Sequence, residues 1–99
     1  MPKEVTLEDI EKQVESSLMI RIAMKRVVDQ LKNAEKHSSP EVIKVLINGK
    51  RKMGEKEYAE TAKRFGSKGL EAIERLEHLT KPQKQYLFKQ MGYSIEEVE

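Results

Sequence analysis

The stretch TLEDIEKQVESSLMIRIAMKRVVDQLKNAEKH, residues 6–37, decides the fold. It contains neither glycine nor proline, so nothing in its backbone chemistry forbids one unbroken helix. Its apolar residues fall in two sets. Leu7, Ile10, Val14 and Leu18 form the first, and Ile20, Met24, Val27, Leu31 and Ala34 the second. Both recur at three- and four-residue spacing, the signature of an amphipathic helix. Thr6, with Asp9 three residues on, reads as an N-cap with an acid in the first turn. The two sets do not share a register, and between Leu18 and Ile20 the chain is apolar on nearly all sides. One long helix buried on two faces satisfies this pattern, as do two helices parted near Ser16-Ser17. Adjacent serines are a weaker stop than glycine or proline, which favours the continuous helix.

Working outward, the signals for shorter helices follow one another. Ser39 and Pro40 are an N-cap and a first-turn proline, opening a segment with Val42, Val45 and Leu46 on one face and Ile43 and Ile47 beside it. This run is β-branched, and Asn48-Gly49 is a hairpin-type turn, but Lys50-Arg51-Lys52-Met53 makes a poor partner strand, so helix is expected. Glu55–Phe65 carries Tyr58, Ala59, Ala62 and Phe65 in one stripe and stops at Gly66. Ser67 opens a segment whose Leu70, Ile73, Leu76 and Leu79 face a core. Thr80 and Gln83 form a capping box around Pro82, and Gly92 ends the helix that holds Tyr86, Leu87, Phe88 and Met91. Ser94-Ile95-Glu96-Glu97 opens a last turn too short to stand alone. The expected fold is all-α: a long N-terminal helix packed against four or five shorter ones, in a single domain over residues 1–99. The 93–99 tail docks on that domain, is ordered by a partner, or continues in a longer natural chain.

Composition excludes several classes. A chain of 99 residues is one domain's worth, too short for a two-lobed enzyme. It has no cysteine, hence no disulfide, thiolate metal site or cysteine nucleophile, and a cytoplasmic setting is the natural expectation. Met1-Pro2-Lys3-Glu4 is not the start of a signal peptide. The apolar runs Leu18-Met19-Ile20 and Ile22-Ala23-Met24 are parted by Arg21 and fall far short of the roughly 20 residues a bilayer needs.

Catalytic and cofactor signals are weak. Glu74 and His78 share a helix face, but a zinc centre needs three or four ligands. His37 beside Ser38 suits hydrogen bonding to terminal helix carbonyls. Gly49 and Gly54 are followed by Glu55-Lys56 rather than the Lys-Ser/Thr of a phosphate loop, and Gly66-Ser67-Lys68-Gly69 reads as a helix–helix turn. The carboxylates are scattered on helix faces. No enzyme activity, cofactor, metal or small-molecule substrate is expected.

Two binding readings remain. Residues 1–20 carry a net charge of −3, residues 21–54 of +6 and residues 55–99 of −1. Tyr58–Leu79 resembles a helix-turn-helix: Ala62 and Gly66 match its small residue and turn glycine, with Ser67-Lys68-Gly69 as the turn. The resemblance implies a DNA- or RNA-binding regulator in which Lys50, Arg51, Lys52, Lys63, Arg64 and Lys68 meet phosphates. The sequence departs from that motif at Ser67, usually apolar, and at Glu71, Glu74 and Glu77, which would repel DNA from the second helix. The leading reading is therefore protein partnership. Leu18, Met19, Ile20, Ile22, Ala23 and Met24 exceed what one stripe accommodates, and surplus apolar surface on a small domain points to a partner groove or a homodimer. The alternative is complete wrapping of this segment as the core's central helix.

Overall fold

The computed structural model describes residues 4–49, 54–64, 76 and 78–99. Among these the chain is helical and has no strand. The elements are α1 (Leu7–Ser16), α2 (Leu18–Lys36), α3 (Pro40–Asn48), α4 (Glu55–Arg64) and α5 (Lys81–Met91), followed by a 3-10 turn over Ile95–Glu97.

The expected single N-terminal helix is two helices. Ser17 adopts an extended backbone, φ −121° and ψ 115°. The register shift explains the break. At 100° per residue the Leu7/Ile10/Val14 stripe and the Met24/Val27/Val28/Leu31/Ala34 stripe point roughly 100° apart on a straight helix. Breaking at Ser17 lets Ile10 and Val14 turn onto the same core as Val28, Leu31 and Ala34. The serine closes one helix and opens the next. Its N–H donates to the Gln13 carbonyl at 3.0 Å, and its Oγ accepts from the Ile20 N–H at 3.3 Å. α1 has no basic residue in its last turn. Arg21 of α2 supplies that charge, donating from Nε to the Val14 carbonyl at 3.3 Å and from Nη2 to the Glu15 carbonyl at 2.5 Å.

Several local signals are met as read. Thr6 Oγ1 accepts from the Asp9 N–H and Asp9 Oδ2 accepts from the Thr6 N–H, the reciprocal pair of a capping box. Ser39 Oγ accepts from the Val42 N–H at the start of α3, which is helix and not strand. Its buried face is Ile43, Leu46 and Ile47, with Val42 and Val45 half-buried, a slight rotation from the expected stripe. At the end of α2 the terminal carbonyl of Ala34 is met by the His37 backbone N–H and the Ser38 hydroxyl.

The centre of the core is α5. Tyr86, Leu87 and Phe88 are consecutive and all buried, so this helix is covered over more than half its circumference. It packs against α1, α2, α3 and the 3-10 turn. Around it lie the solvent-excluded side chains of Leu31, Ile43, Leu46 and Ile47, with Leu76 also buried. Two lysines tie it to its neighbours. Lys89 meets the Glu11 carboxylate of α1 at 3.2 Å, and Lys84 Nζ donates to the Asn48 carbonyl closing α3 at 3.0 Å.

The chain leaves α5 through Gly92, whose left-handed φ of 79° favours glycine. The Tyr93 N–H donates to the Phe88 carbonyl at 2.8 Å, and the two rings meet edge to face at 5.7 Å, the backbone bond and apolar contact of a Schellman motif. The tail then folds onto α3. Asn48 Nδ2 donates to the Glu97 carbonyl at 3.3 Å, the Glu99 N–H donates to Asn48 Oδ1 at 3.1 Å, and Lys44 pairs with Glu97 at 2.9 Å. Val98 is buried in the core.

Candidate partner-binding surface

The elbow between α1 and α2 carries the surface of interest. Capping by Ser17 and Arg21 fixes where α2 begins, and that sets which side chains of its first two turns point outward. Met24, Val28, Leu31 and Ala34 turn toward the core, while Leu18, Ile22, Arg26 and Asp29 lie on the opposite side. The fractional exposures are 66% for Leu18, 83% for Met19, 39% for Ile20 and 46% for Ile22. Ala23 is exposed as well. Beyond these two turns the outward face becomes polar, with Lys25, Arg26, Asp29, Gln30 and Asn33.

These side chains leave on the order of 400 Å² of apolar surface in one patch, within the range where a monomer's largest patch is commonly functional. Complete wrapping of the segment by the domain does not occur: Leu18, Met19 and Ile22 face outward, and Ile20, in register with the core stripe, is still 39% exposed. Met24 differs from the other five expected contact residues. It is half-buried and packs on the core.

Next to the patch runs a groove of about 300 Å³ between α2 and α5, lined by Met24, Val28 and Tyr86 and by the polar Arg21, Lys25, Asp29, Lys32 and Gln90. Burial holds the Tyr86 hydroxyl protonated beyond the usual tyrosine range, and the negative charge of Glu11 adds to this. Tyr93 behaves likewise and more strongly. Burial is again the largest cause, followed by the hydrogen bond its hydroxyl donates to Glu35 and by the charges of Glu35 and Glu41. Tyr86 lines the α2–α5 groove, and Tyr93, just beyond the end of α5, bonds back to Glu35 of α2.

Of the residues expected to meet nucleic acid, Lys63 is exposed on α4 and Arg64 ends that helix. Lys50, Arg51, Lys52 and Lys68, and most of the 58–79 helix pair, lie outside the described residues. Glu74 lies outside them too, while His78 is exposed. Among the described residues no three acidic or histidine side chains converge as a metal site, and no helix is long and apolar enough to cross a membrane.

The elbow also holds a residue that spacing did not single out. Arg21 reads in sequence as an interruption of an apolar run, yet its guanidinium satisfies two carbonyls of the preceding helix. The signal was the missing basic residue in the last turn of α1. No protein-family model, curated protein or solved structure matches this chain.

Proposed function

We propose that this chain is a small, non-enzymatic helical adaptor or regulatory protein of the cytoplasm that acts by binding protein and self-associates. Leu18, Met19, Ile20, Ile22 and Ala23 form its contact surface, with Met24 supporting them from the core side. One observation carries the reading: Leu18, Met19 and Ile22, large apolar side chains, stand exposed on the side of α2 away from the core, and Ile20, at the open end of the core-facing stripe, is 39% exposed beside them. At 25 cal/mol per Å², covering about 400 Å² returns about 10 kcal/mol per subunit before costs. Association costs about 4–15 kcal/mol in lost freedom. Two such patches meeting in a homodimer return about 20 kcal/mol gross against that cost, and the measured molar mass decides the balance.

The test is the molar mass in solution across a concentration series, by sedimentation velocity and light scattering. The chain is expected to dimerise, and Met19→Asp with Ile22→Asp is expected to leave a helical monomer. Both substitutions fall on exposed positions, so circular dichroism should be unchanged. Met24 is a poor choice because a charge there strikes the core. A mass unaffected by the double substitution refutes the surface.

The nucleic-acid reading has its own measurement: binding to a labelled duplex at about 50 and 200 mM salt. Affinity that collapses with salt, and that is lost on neutralising Lys50, Arg51 and Lys52, would replace the protein-partner reading.

A further inference from the structure

We propose that two copies of this chain pair by exchanging α1, with Ser17 as the hinge and Leu18 and Ile22 covered by the copy that receives the exchanged helix. This rests on the reading that the Leu18–Met24 face meets a second copy, and it names how.

Three observations carry it. The first is the hinge itself. Residues 6–37 hold no glycine or proline, and Ser17 alone interrupts 30 residues, Leu7–Lys36, that are otherwise helical. Short hinges of this kind are where identical elements change partners.

The second is the hydrogen-bond balance at the hinge. The closed elbow depends on three side-chain bonds: Ser17 Oγ with the Ile20 N–H, and the Arg21 guanidinium with the carbonyls of Val14 and Glu15. A straight helix gives these up and forms three backbone bonds instead, from the N–H groups of Leu18, Met19 and Ile20 to the carbonyls of Val14, Glu15 and Ser16. The Ser17-to-Gln13 and Arg21-to-Ser17 backbone bonds are common to both forms. Opening the elbow therefore leaves no backbone group orphaned.

The third is the register. In a straight helix Leu18 falls on the Leu7/Ile10/Val14 stripe, and Ile22 lies one turn further along its edge. The surface of a second copy that takes Ile10 and Val14 against its own α5 is then continuous with the surface that meets Leu18 and Ile22. The Glu11–Lys89 pair forms again, now between chains. One occupant thus explains both the offset between the stripes and the exposed apolar elbow.

The chain has no cysteine, so an engineered pair reports cleanly. Glu11→Cys with Lys89→Cys places thiols on α1 and α5 at exposed or half-exposed positions. The protein is equilibrated where it is dimeric, treated with a short bis-maleimide and run on a denaturing gel. Exchange gives covalent dimers. A native dimer that yields only intrachain links overturns the exchange and leaves the elbow contact standing. A chain that is monomeric at every concentration overturns both.

Two hinge variants test the idea without the link. Leu18→Pro suits the closed elbow, where residue 18 is the first of α2 and Ser17 is extended, and it bars the straight helix. It should be a folded monomer at every concentration, while Leu18→Ala, which loses the leucine but allows the straight helix, should pair more weakly and still give exchanged dimers at high concentration. Dimers that survive Leu18→Pro, or Leu18→Ala dimers formed at high concentration without the Glu11–Lys89 interchain link, overturn the proposal. Ser17→Ala removes a cap from the closed form at each of two hinges and should tighten pairing by about 25-fold. Unchanged or weaker pairing counts against exchange.

Discussion

Replacing Leu87 by alanine tests the architecture at its centre. Leu87 is fully excluded from solvent on α5, the helix against which α1, α2 and α3 all pack. Leucine-to-alanine changes in such sites cost about 2.7–5.0 kcal/mol, and more where the walls cannot close on the cavity. Phe88 beside it is fully excluded as well, and neighbours from three helices restrict collapse, so about 4 kcal/mol is expected. A domain of this size holds about 5–15 kcal/mol in all. The variant should therefore lose between about a quarter and four-fifths of its stability and melt about 15–30 °C lower. Urea and thermal unfolding followed by circular dichroism at 222 nm would measure this. The control is Leu18→Ala, of the same chemistry but on the exposed elbow, for which a change within about 0.5 kcal/mol is expected. Both are read at a concentration where the wild-type chain is monomeric, since association adds apparent stability. A loss below about 2 kcal/mol for Leu87→Ala, or equal losses for both, would refute α5 as the centre.

Three further predictions follow from the elbow, the tail and the tyrosines. Arg21→Ala removes two bonds to the end of α1 and should destabilise the closed monomer by about 1 kcal/mol while favouring pairing, as a shift of the dimer midpoint to lower concentration would show. Asn48→Ala removes the side chain that holds the backbone at both Glu97 and Glu99, and should cost about 1–2 kcal/mol with faster amide exchange over 94–99; unchanged exchange would show that Val98 alone holds the tail. Tyr86 and Tyr93 both titrate above the ordinary tyrosine value of 10.0 in the fold, so the folded state favours the protonated phenol. That stability is fully present below pH 10 and falls as the pH rises further, because the unfolded chain releases these protons first. Urea midpoints measured from pH 8 to 11 should decline at the alkaline end, and less steeply for Tyr93→Phe; a flat profile would refute the coupling.

Helix starts and stops were legible because each has a local chemical cause. Thr6 with Asp9, Ser39 with Pro40, and Gly92 at the end of α5 all act where spacing places them. The break at Ser17 was not settled by spacing, because periodicity reports that two stripes differ in direction and not which surfaces receive them. A kink that turns both inward and a straight helix with two buried faces have the same pattern. The central place of α5 was hidden for a related reason: Tyr86, Leu87 and Phe88 in succession define no single stripe, and a helix buried on many sides carries little amphipathic signal. At the elbow, Leu18, Met19, Ile20 and Ile22 were readable as a surplus over one stripe, and they are exposed. Met24 belongs by register to the stripe of Leu31 and Ala34, and it packs with them.

The elbow's energetics bear on why such a surface is compatible with a well-defined fold. Exposed leucine, methionine and isoleucine side chains invite non-specific association unless the backbone beneath them is held in one place. At the hinge itself it is held by polar groups, a serine hydroxyl on one N–H and an arginine on two carbonyls, while Ile10 and Val14 of α1 share the core with Val28 and Leu31 of α2. Polar caps are directional, so they specify the angle between α1 and α2, while each contributes only about 1 kcal/mol. Apolar packing across the elbow would do the reverse, adding strength with little angular preference. Under the proposed exchange, a small domain built this way would trade its caps for backbone bonds when a second copy covers that patch. With three bonds exchanged for three, the proposed pairing would draw its free energy from the covered leucine and isoleucine, and the concentration of the chain would set how much of it is paired.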